Sequence, residues 1–384
     1  MSIFNVKLPG NILGGAGAVS RIAAVASGKE KVVIFTDRGV REAGLLEAPL
    51  KTLKDAGIRT AVMDSVPPEP SWQQAQQAAD RFREEQGDMI LAIGGGSVMD
   101  MAKLASVLAS GRWKVKDLLD NPGLGKKTVM SVMVPTTAGT GAEATPNSIV
   151  AVPEKEVKVG IVNPEMVADV VILDGEMIKK LPEKIAASTG VDALAHAVEC
   201  YTSKKATPFS DTFALEALDK IIGHIEKACR DPEALEDKNE MLLGAFYAGI
   251  AITASGTTAV HALSYPLGGK YHIPHGAANA MLLAPVMRFN EPCCRERLAA
   301  AYDRVANRKG AGASQEEKSR WMVDRIESIV KNLDIPAGLR EYHVPPEDLE
   351  GLVASGLAVR RLLDNNMRQV TADDARRLYL EIMR

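Results

Sequence analysis

The chain has 384 residues, 46% of them apolar and 25% charged, ordinary proportions for a globular protein and enough length for two domains with separate cores. The net charge of −3 argues against nucleic acid as a partner, because phosphate recognition needs a basic surface. The longest apolar stretch, near Met241–Ala254, falls short of the ~20 residues of a spanning helix and runs into Ser, Thr and His, so a buried helix and no membrane partner are expected.

In chain order, the start MSIFNVKLPG has no charged segment followed by an apolar one, and no secretory leader is expected. KVVIFT (31–36) is β-branched and apolar and predicts a buried strand, followed by a helical pattern to about Ala56 and a strand at Ile58–Met63. VPPEP (66–70) breaks the chain, and Ser71 is placed to cap a helix running through Glu85. DMILAI (88–93) predicts the next strand, then a helix from about Val98 to Ser110, a strand at TVMSVMV (128–134), a hairpin over 148–162 and a last strand at VADVVILD (167–174). Beyond Asp174 the spacing turns helical: 183–201, 208–229, 238–264, 276–289, 294–309, 314–333, 346–362 and 371–383. The chain therefore reads as an α/β dinucleotide-binding domain over 1–180 and an all-α domain over 181–384. Four cysteines (Cys200, Cys229, Cys293, Cys294) form no CxxC pair, which points to a reduced, cytoplasmic setting.

Gly94-Gly95-Gly96-Ser97 follows a strand and opens a helix, where bare N–H groups and the positive helix end can hold a pyrophosphate. It is not G-x-G-x-x-G, and a tight strand-to-helix turn uses glycine in any case. PTTAGTGAEATPNS (135–148) also follows a strand and offers the hydroxyls of Thr136, Thr137 and Thr140 to a phosphate or ribose, or else forms a polar surface loop. Asp37 ends the first core strand; a carboxylate there either receives a ribose diol, favouring NAD over NADP, or caps a helix.

Of only six histidines, three accompany a carboxylate in one pattern. Asp192 and His196 are four apart and share a helix face; His261 lies near the end of a helical stretch, and His275 precedes another. Any one of these is most simply a structural histidine. Together they suit a divalent metal with an open position and Lewis-acid chemistry, with Fe, Zn or Ni all compatible with imidazole.

The segments GGGSVMD, PTTAGTGAE, GVDALAHAVE and HALSYPLGG…HIPHG, in this order over nearly the whole chain, resemble those of the iron-containing (group III) alcohol dehydrogenases. The resemblance implies a dehydroquinate synthase-like architecture with the site in the cleft between an α/β and a helical domain. It implies Asp192, His196, His261 and His275 as metal ligands, with Fe2+ ahead of Zn2+. For NAD(H) it implies Gly94, Gly95, Gly96, Ser97, Asp100, Thr136, Thr137, Thr140, Asn147 and Lys158, with Asp37 at the position linked to NAD preference. The expected activity is an alcohol dehydrogenase or aldehyde reductase acting on a small primary alcohol or aldehyde, in a homodimer or larger homo-oligomer. Many members carry a histidine four residues after the ligand matching His261; here that position is Tyr265, a poor proton acceptor but a competent donor. His272 is the substitute for proton transfer. Lys270, His272 and Arg288 are candidates to meet an anionic substituent on the substrate. A metal- and NAD-dependent lyase of the same architecture is the rival from another reaction class, but such an enzyme needs several cations around the metal. Glycerol dehydrogenase and maleylacetate reductase are rivals within the oxidoreductases.

Overall fold

The β-branched runs of the first half pair into one parallel sheet. A computed structural model of the chain describes residues 4–155, 157–306, 312–336 and 338–383, and divides into a unit over Lys7–Leu181 and one over Pro182–Arg384 with the extreme N-terminus. In the first unit the strands are β1 (Asn11–Gly14), β2 (Lys31–Phe35), β3 (Arg59–Met63), β4 (Met89–Gly94), β5 (Met130–Pro135), β6 (Asn147–Val152), β7 (Val157–Val162) and β8 (Val170–Leu173). Six of them form a sheet in the order β1-β8-β5-β4-β2-β3, every pairing parallel, while β6 and β7 make a separate antiparallel hairpin. Val32, Ile34, Leu91, Ile93, Val132 and Ile172 are buried in one core, as expected for a sheet covered on both faces. Helices α1 (Ile22–Val25), α2 (Arg38–Glu42), α3 (Glu47–Asp55), α4 (Trp72–Glu85), α5 (Gly96–Leu108) and α6 (Val115–Asp120) connect the strands. Ser71 caps α4 in a reciprocal box with Gln74. Sequence reading misses β1, because NILG is short and mostly exposed at the sheet edge and so carries no apolar run.

The second unit is helical: α7 (Glu183–Tyr201), α8 (Pro208–Arg230), α9 (Leu235–Ser255), α10 (Ala259–Tyr271), α11 (His275–Val305), α12 (Gln315–Asn332), α13 (Leu349–Ala358), α14 (Arg360–Leu363) and α15 (Ala372–Ile382). The fold is thus the α/β-plus-helical arrangement expected. Two helical expectations need correction. The stretch 238–264 is not one helix: Gly256, at φ 71°, ends α9, and the axis turns by 104° before α10 begins. His261 therefore sits in the first turn of α10 rather than near a helix end. The stretches 276–289 and 294–309 fall on one helix as far as Val305, α11, which kinks at the non-helical Cys294 two residues after Pro292; 307–309 lie outside the described residues. Among the described residues no single helix is long and apolar enough to cross a membrane.

Two glycines set how closely these helices approach. A Cβ on Gly190 of α7 would stand 3.0 Å from Ile225 of α8. A Cβ on Gly276, in the first turn of α11, would stand 2.2 Å from the carbonyl oxygen of Ser188 in α7. Only a residue without a side chain lets the start of α11 lie on α7 in this way, which puts His275 beside the middle of α7.

Candidate functional site

Helix α7 is rich in Ala and Val, so its few polar groups stand out. Asp192, His196 and Glu199, spaced by four and three residues, form one stripe along it, and all three are buried. The first turn of α10 brings His261, and the first residue of α11 brings His275. One donor atom from each of Asp192, His196, His261 and His275 falls within 4.8 Å of all the others. Measured from Asp192 Oδ1, the Nε2 atoms of His261, His275 and His196 lie at 3.5, 3.6 and 3.8 Å. Donors about 2.1 Å from one ion at tetrahedral angles stand roughly 3.4 Å apart, so the three distances from Asp192 are close to those of a single four-coordinate ion, with the remaining donor pairs within 4.8 Å. The side chains of Asp192, His261 and His196 are 3, 3 and 8% exposed, whereas that of His275 is 35% exposed. The cluster opens on the His275 side.

Sequence reading missed the two residues that prepare these donors. Glu199 is fully buried. Its Oε1 accepts from the Thr258 N–H (3.1 Å), the Thr258 hydroxyl (2.7 Å) and the Val260 N–H (2.7 Å), so it caps α10 from another helix. Its Oε2 meets His261 Nδ1. That contact assigns the Nδ1 proton and leaves the Nε2 lone pair facing the cluster. Asn279, one turn into α11, donates through Nδ2 to Asp192 Oδ1 at 2.7 Å, with the Nε2 atoms of His261 and His275 at 3.1 and 3.2 Å. Its Oδ1 is buried without a partner; the carboxylate needs a donor, so the nitrogen faces inward. One signal for Glu199 was available: a carboxylate three residues after His196 on an apolar helix face.

The electrostatics favour a cation. Burial opposes charge on Asp192, yet the imidazoles of His196, His275 and His261 hold its carboxyl far below the usual range. Burial lowers His196 to about 4, so it is neutral at pH 7. For His261 burial is outweighed by Glu199 and Asp192, which raise it to about 9. An imidazole that binds a proton so firmly is a strong ligand for a metal in its place.

The two proton-handling candidates part company. Tyr265, one turn after His261, has its ring 6.1 Å from that of His275. Burial raises its phenol pKa, a shift that nearby Arg361 opposes. His272 is exposed, ends α10 in a left-handed conformation at φ 54°, and makes no hydrogen bond or ring contact with the cluster among the described residues. Lys270 and Arg288 are not free to receive an anion: Lys270 pairs with Asp348 at 2.7 Å, and Arg288 with Glu327 at 2.7 Å and Glu381 at 3.0 Å.

In the first unit, β2, β4 and β5 are neighbours, with Ala92 opposite Phe35 and Gly94 opposite Pro135. The loops carrying Asp37, Gly94–Ser97 and Thr136–Thr140 therefore leave the same end of the sheet. The chain reverses its direction of travel across the sheet between β2 and β4, the place where open parallel sheets bind nucleotides. Gly95 caps α5 without a side chain, leaving the first-turn N–H groups open. A Cβ on Gly94 would stand 2.6 Å from Val98, and one on Gly96 would stand 2.9 Å from the Thr140 hydroxyl. The Thr-rich loop thus lies directly against the turn. Asp37 caps α2 by accepting from Val40 N–H at 2.9 Å. Ser97 accepts from Glu69 N–H at 3.1 Å, and Lys158 pairs with Glu69 at 2.6 Å. Asp100 turns inward: its Oδ2 accepts from Ile149 N–H at 2.9 Å and its Oδ1 faces Lys103 at 3.3 Å. Fully buried Lys103 also donates to Thr145 Oγ1 and to the Asn147 carbonyl, at 3.2 and 2.7 Å. Both charges of this pair tie α5 to the β6–β7 hairpin, a role sequence reading did not anticipate.

Comparison with known proteins fits this geometry. Residues 9–175 match the profile of the iron-containing alcohol dehydrogenases, and residues 186–383 match that of the C-terminal part of the Fe-containing alcohol dehydrogenase family. The chain is 32% identical over 384 residues to long-chain-alcohol dehydrogenase 1 of Geobacillus thermodenitrificans, covering 99% of this chain and 96% of the relative. It is 31% identical over 372 residues to the NAD-dependent methanol dehydrogenase of Bacillus methanolicus, covering 96% and 97%. The crystal structure of a 1,3-propanediol oxidoreductase superposes with a TM-score of 0.91 at 29% identity and covers all of both chains. The chain belongs to the iron-containing alcohol dehydrogenase family and is an oxidoreductase.

Proposed function

We propose that the protein interconverts a small primary alcohol and its aldehyde with NAD(H), using one divalent ion held by Asp192, His196, His261 and His275. Fe2+ is the first choice of ion and Zn2+ the alternative. The observation that carries the reading is the spacing of the four donors, tightened by the Glu199–His261 contact. When bound, the ion supplies Lewis-acid polarisation of the substrate oxygen and NAD(H) supplies or takes the hydride.

The chain's own residues do the rest. Asp192 is the one anionic donor of the four and Glu199 stands one residue behind, against His261 Nδ1, so a substrate oxygen would meet the ion with only one carboxylate directly on it. Glu199 keeps His261 in the tautomer that presents Nε2. Asn279 steadies the Asp192 carboxylate. Tyr265 keeps its proton through neutral pH, since burial raises its pKa; it serves as a hydrogen-bond donor rather than as a base. His272, exposed near the His275 end, is proposed to exchange the proton with solvent. Gly94, Gly95, Gly96 and Ser97 are proposed to hold the pyrophosphate, with Thr136, Thr137, Thr140 and Asn147 along the dinucleotide and Asp37 at the adenosine ribose. Asp100 and Lys158 are proposed to support that surface from behind.

The test is His261→Ala. We expect loss of bound metal by elemental analysis and loss of nearly all aldehyde-dependent NADH oxidation, with NADH binding retained. Full activity in metal-free His261→Ala would refute the proposal.

A further inference from the structure

The four donors of the cluster are not equally prepared to hold an ion. An imidazole that coordinates through Nε2 carries its proton on Nδ1, and that proton needs an acceptor. For His261 the acceptor is Glu199. The ring of His275 is reached by solvent, with 35% of its side chain exposed. His196 has neither. Its side chain is 8% exposed, and its Nδ1 is buried without a hydrogen-bond partner. Coordination through Nε2 therefore leaves a buried N–H unsatisfied at this ring.

The other contacts of the cluster repeat this division. The Asn279 amide nitrogen lies 2.7 Å from Asp192 Oδ1, 3.1 Å from His261 Nε2 and 3.2 Å from His275 Nε2, so a single group stands against three of the four donors. Among the described residues no hydrogen bond reaches the His196 imidazole. Its Nε2 is also the farthest of the three imidazole nitrogens from Asp192 Oδ1, at 3.8 Å against 3.5 and 3.6 Å. The His196 ring stacks on that of His261, with centroids 4.6 Å apart and planes 20° apart. Stacking fixes where the ring lies and does not choose which nitrogen carries the proton.

We propose that Asp192, His261 and His275 form the retaining set of the metal site and that His196 is its replaceable ligand, whose place a water or another small neutral donor takes at least cost. The inference rests on the reading of the cluster as a metal centre and ranks the donors within it. Without His196 the remaining three donors keep their common contact with Asn279. Without His261 the buried Glu199 Oε2 loses the group it faces, and the ion loses the ligand whose tautomer is fixed.

The experiment takes full-length wild-type protein, His196→Ala, His261→Ala and His275→Ala, strips each of metal and titrates it with Zn2+ alone against a chromophoric chelator. Melts of the four metal-free proteins are run alongside, so that affinities are compared between folded chains. His196→Ala is expected to bind one Zn2+ per chain more weakly than wild type. Its affinity is expected to stand about 10- to 100-fold above that of either other variant, the factor that an outer partner typically contributes to a ligand. Equal losses in all three variants, or the greatest loss in His196→Ala, would overturn the ranking while leaving the metal centre intact. If His196→Ala does not fold without metal, His196→Gln, closer in size to the imidazole, is ranked in its place by the same criterion. Wild-type protein that binds no divalent ion would refute the metal reading itself, and the ranking with it.

Discussion

Glu199→Gln separates the two tasks of one buried carboxylate. Oε1 accepts three bonds, from Thr258 N–H, Thr258 Oγ1 and Val260 N–H, and a glutamine carbonyl oxygen in the same place accepts all three. Only the Oε2 position changes, from an acceptor facing His261 Nδ1 to an amide donor. The imidazole must then carry its proton on Nε2, the atom that faces the other ligands, and cannot coordinate there without exchanging tautomers against its neighbour. Losses of this kind typically weaken metal binding about 10- to 100-fold, or roughly 1.4–2.7 kcal/mol. The start of α10 should survive, so the thermal midpoint of the metal-free variant should stay near that of the metal-free wild type. Glu199→Ala should behave differently. It strips the partners from two buried backbone donors at about 1–3 kcal/mol each, and metal-free stability should fall with metal affinity. Chelator competition gives the metal affinity and calorimetry the stability. Glu199→Gln with wild-type affinity for Fe2+ or Zn2+ would refute the tautomer argument.

Gly276→Ala puts a Cβ 2.2 Å from the Ser188 carbonyl oxygen, so α11 must shift from α7. We expect a loss of about 1–3 kcal/mol in stability together with weaker metal binding, both visible in thermal melts with and without metal; an unchanged melt in both states would contradict the close-approach argument. Burial raises the Glu143 carboxyl from 4.5 to about 7, and its Oε2 has no partner. Because the folded state holds this proton more tightly than the unfolded chain, the group's contribution is complete below about pH 4.5 and is lost as pH rises through about 7, up to about 3 kcal/mol. Melts of wild-type protein and Glu143→Gln across that window should therefore diverge, the wild type losing ground as pH rises; parallel curves would show that Glu143 is ionised throughout.

Much of this was legible from residue order because the local and global signals agree. Buried parallel strands are continuous β-branched runs, so β2, β4, β5 and β8 declare themselves. Asp192 and His196 declare their shared face by spacing alone. The failures have a common cause in long-range contacts. Residues 238–264 have unbroken helical spacing, and Gly256 alone does not announce a turn of 104°; the turn holds because Glu199, more than fifty residues earlier, caps the new helix. Asp37 has two roles open to it in sequence, and its Oδ1 caps α2 alongside the ribose role proposed for it. Asp100, which the resemblance places in the nucleotide-binding motif, also pairs with Lys103 and accepts from Ile149 N–H, partners that residue order does not announce. Lys270 and Arg288 are plausible anion receptors only until their carboxylates are found in other helices.

The corner between α9 and α10 joins backbone to ligand. One oxygen of Glu199 receives the N–H groups that open α10, and the other faces His261. A disturbance of that bend is therefore relayed to the metal cluster by a single carboxylate.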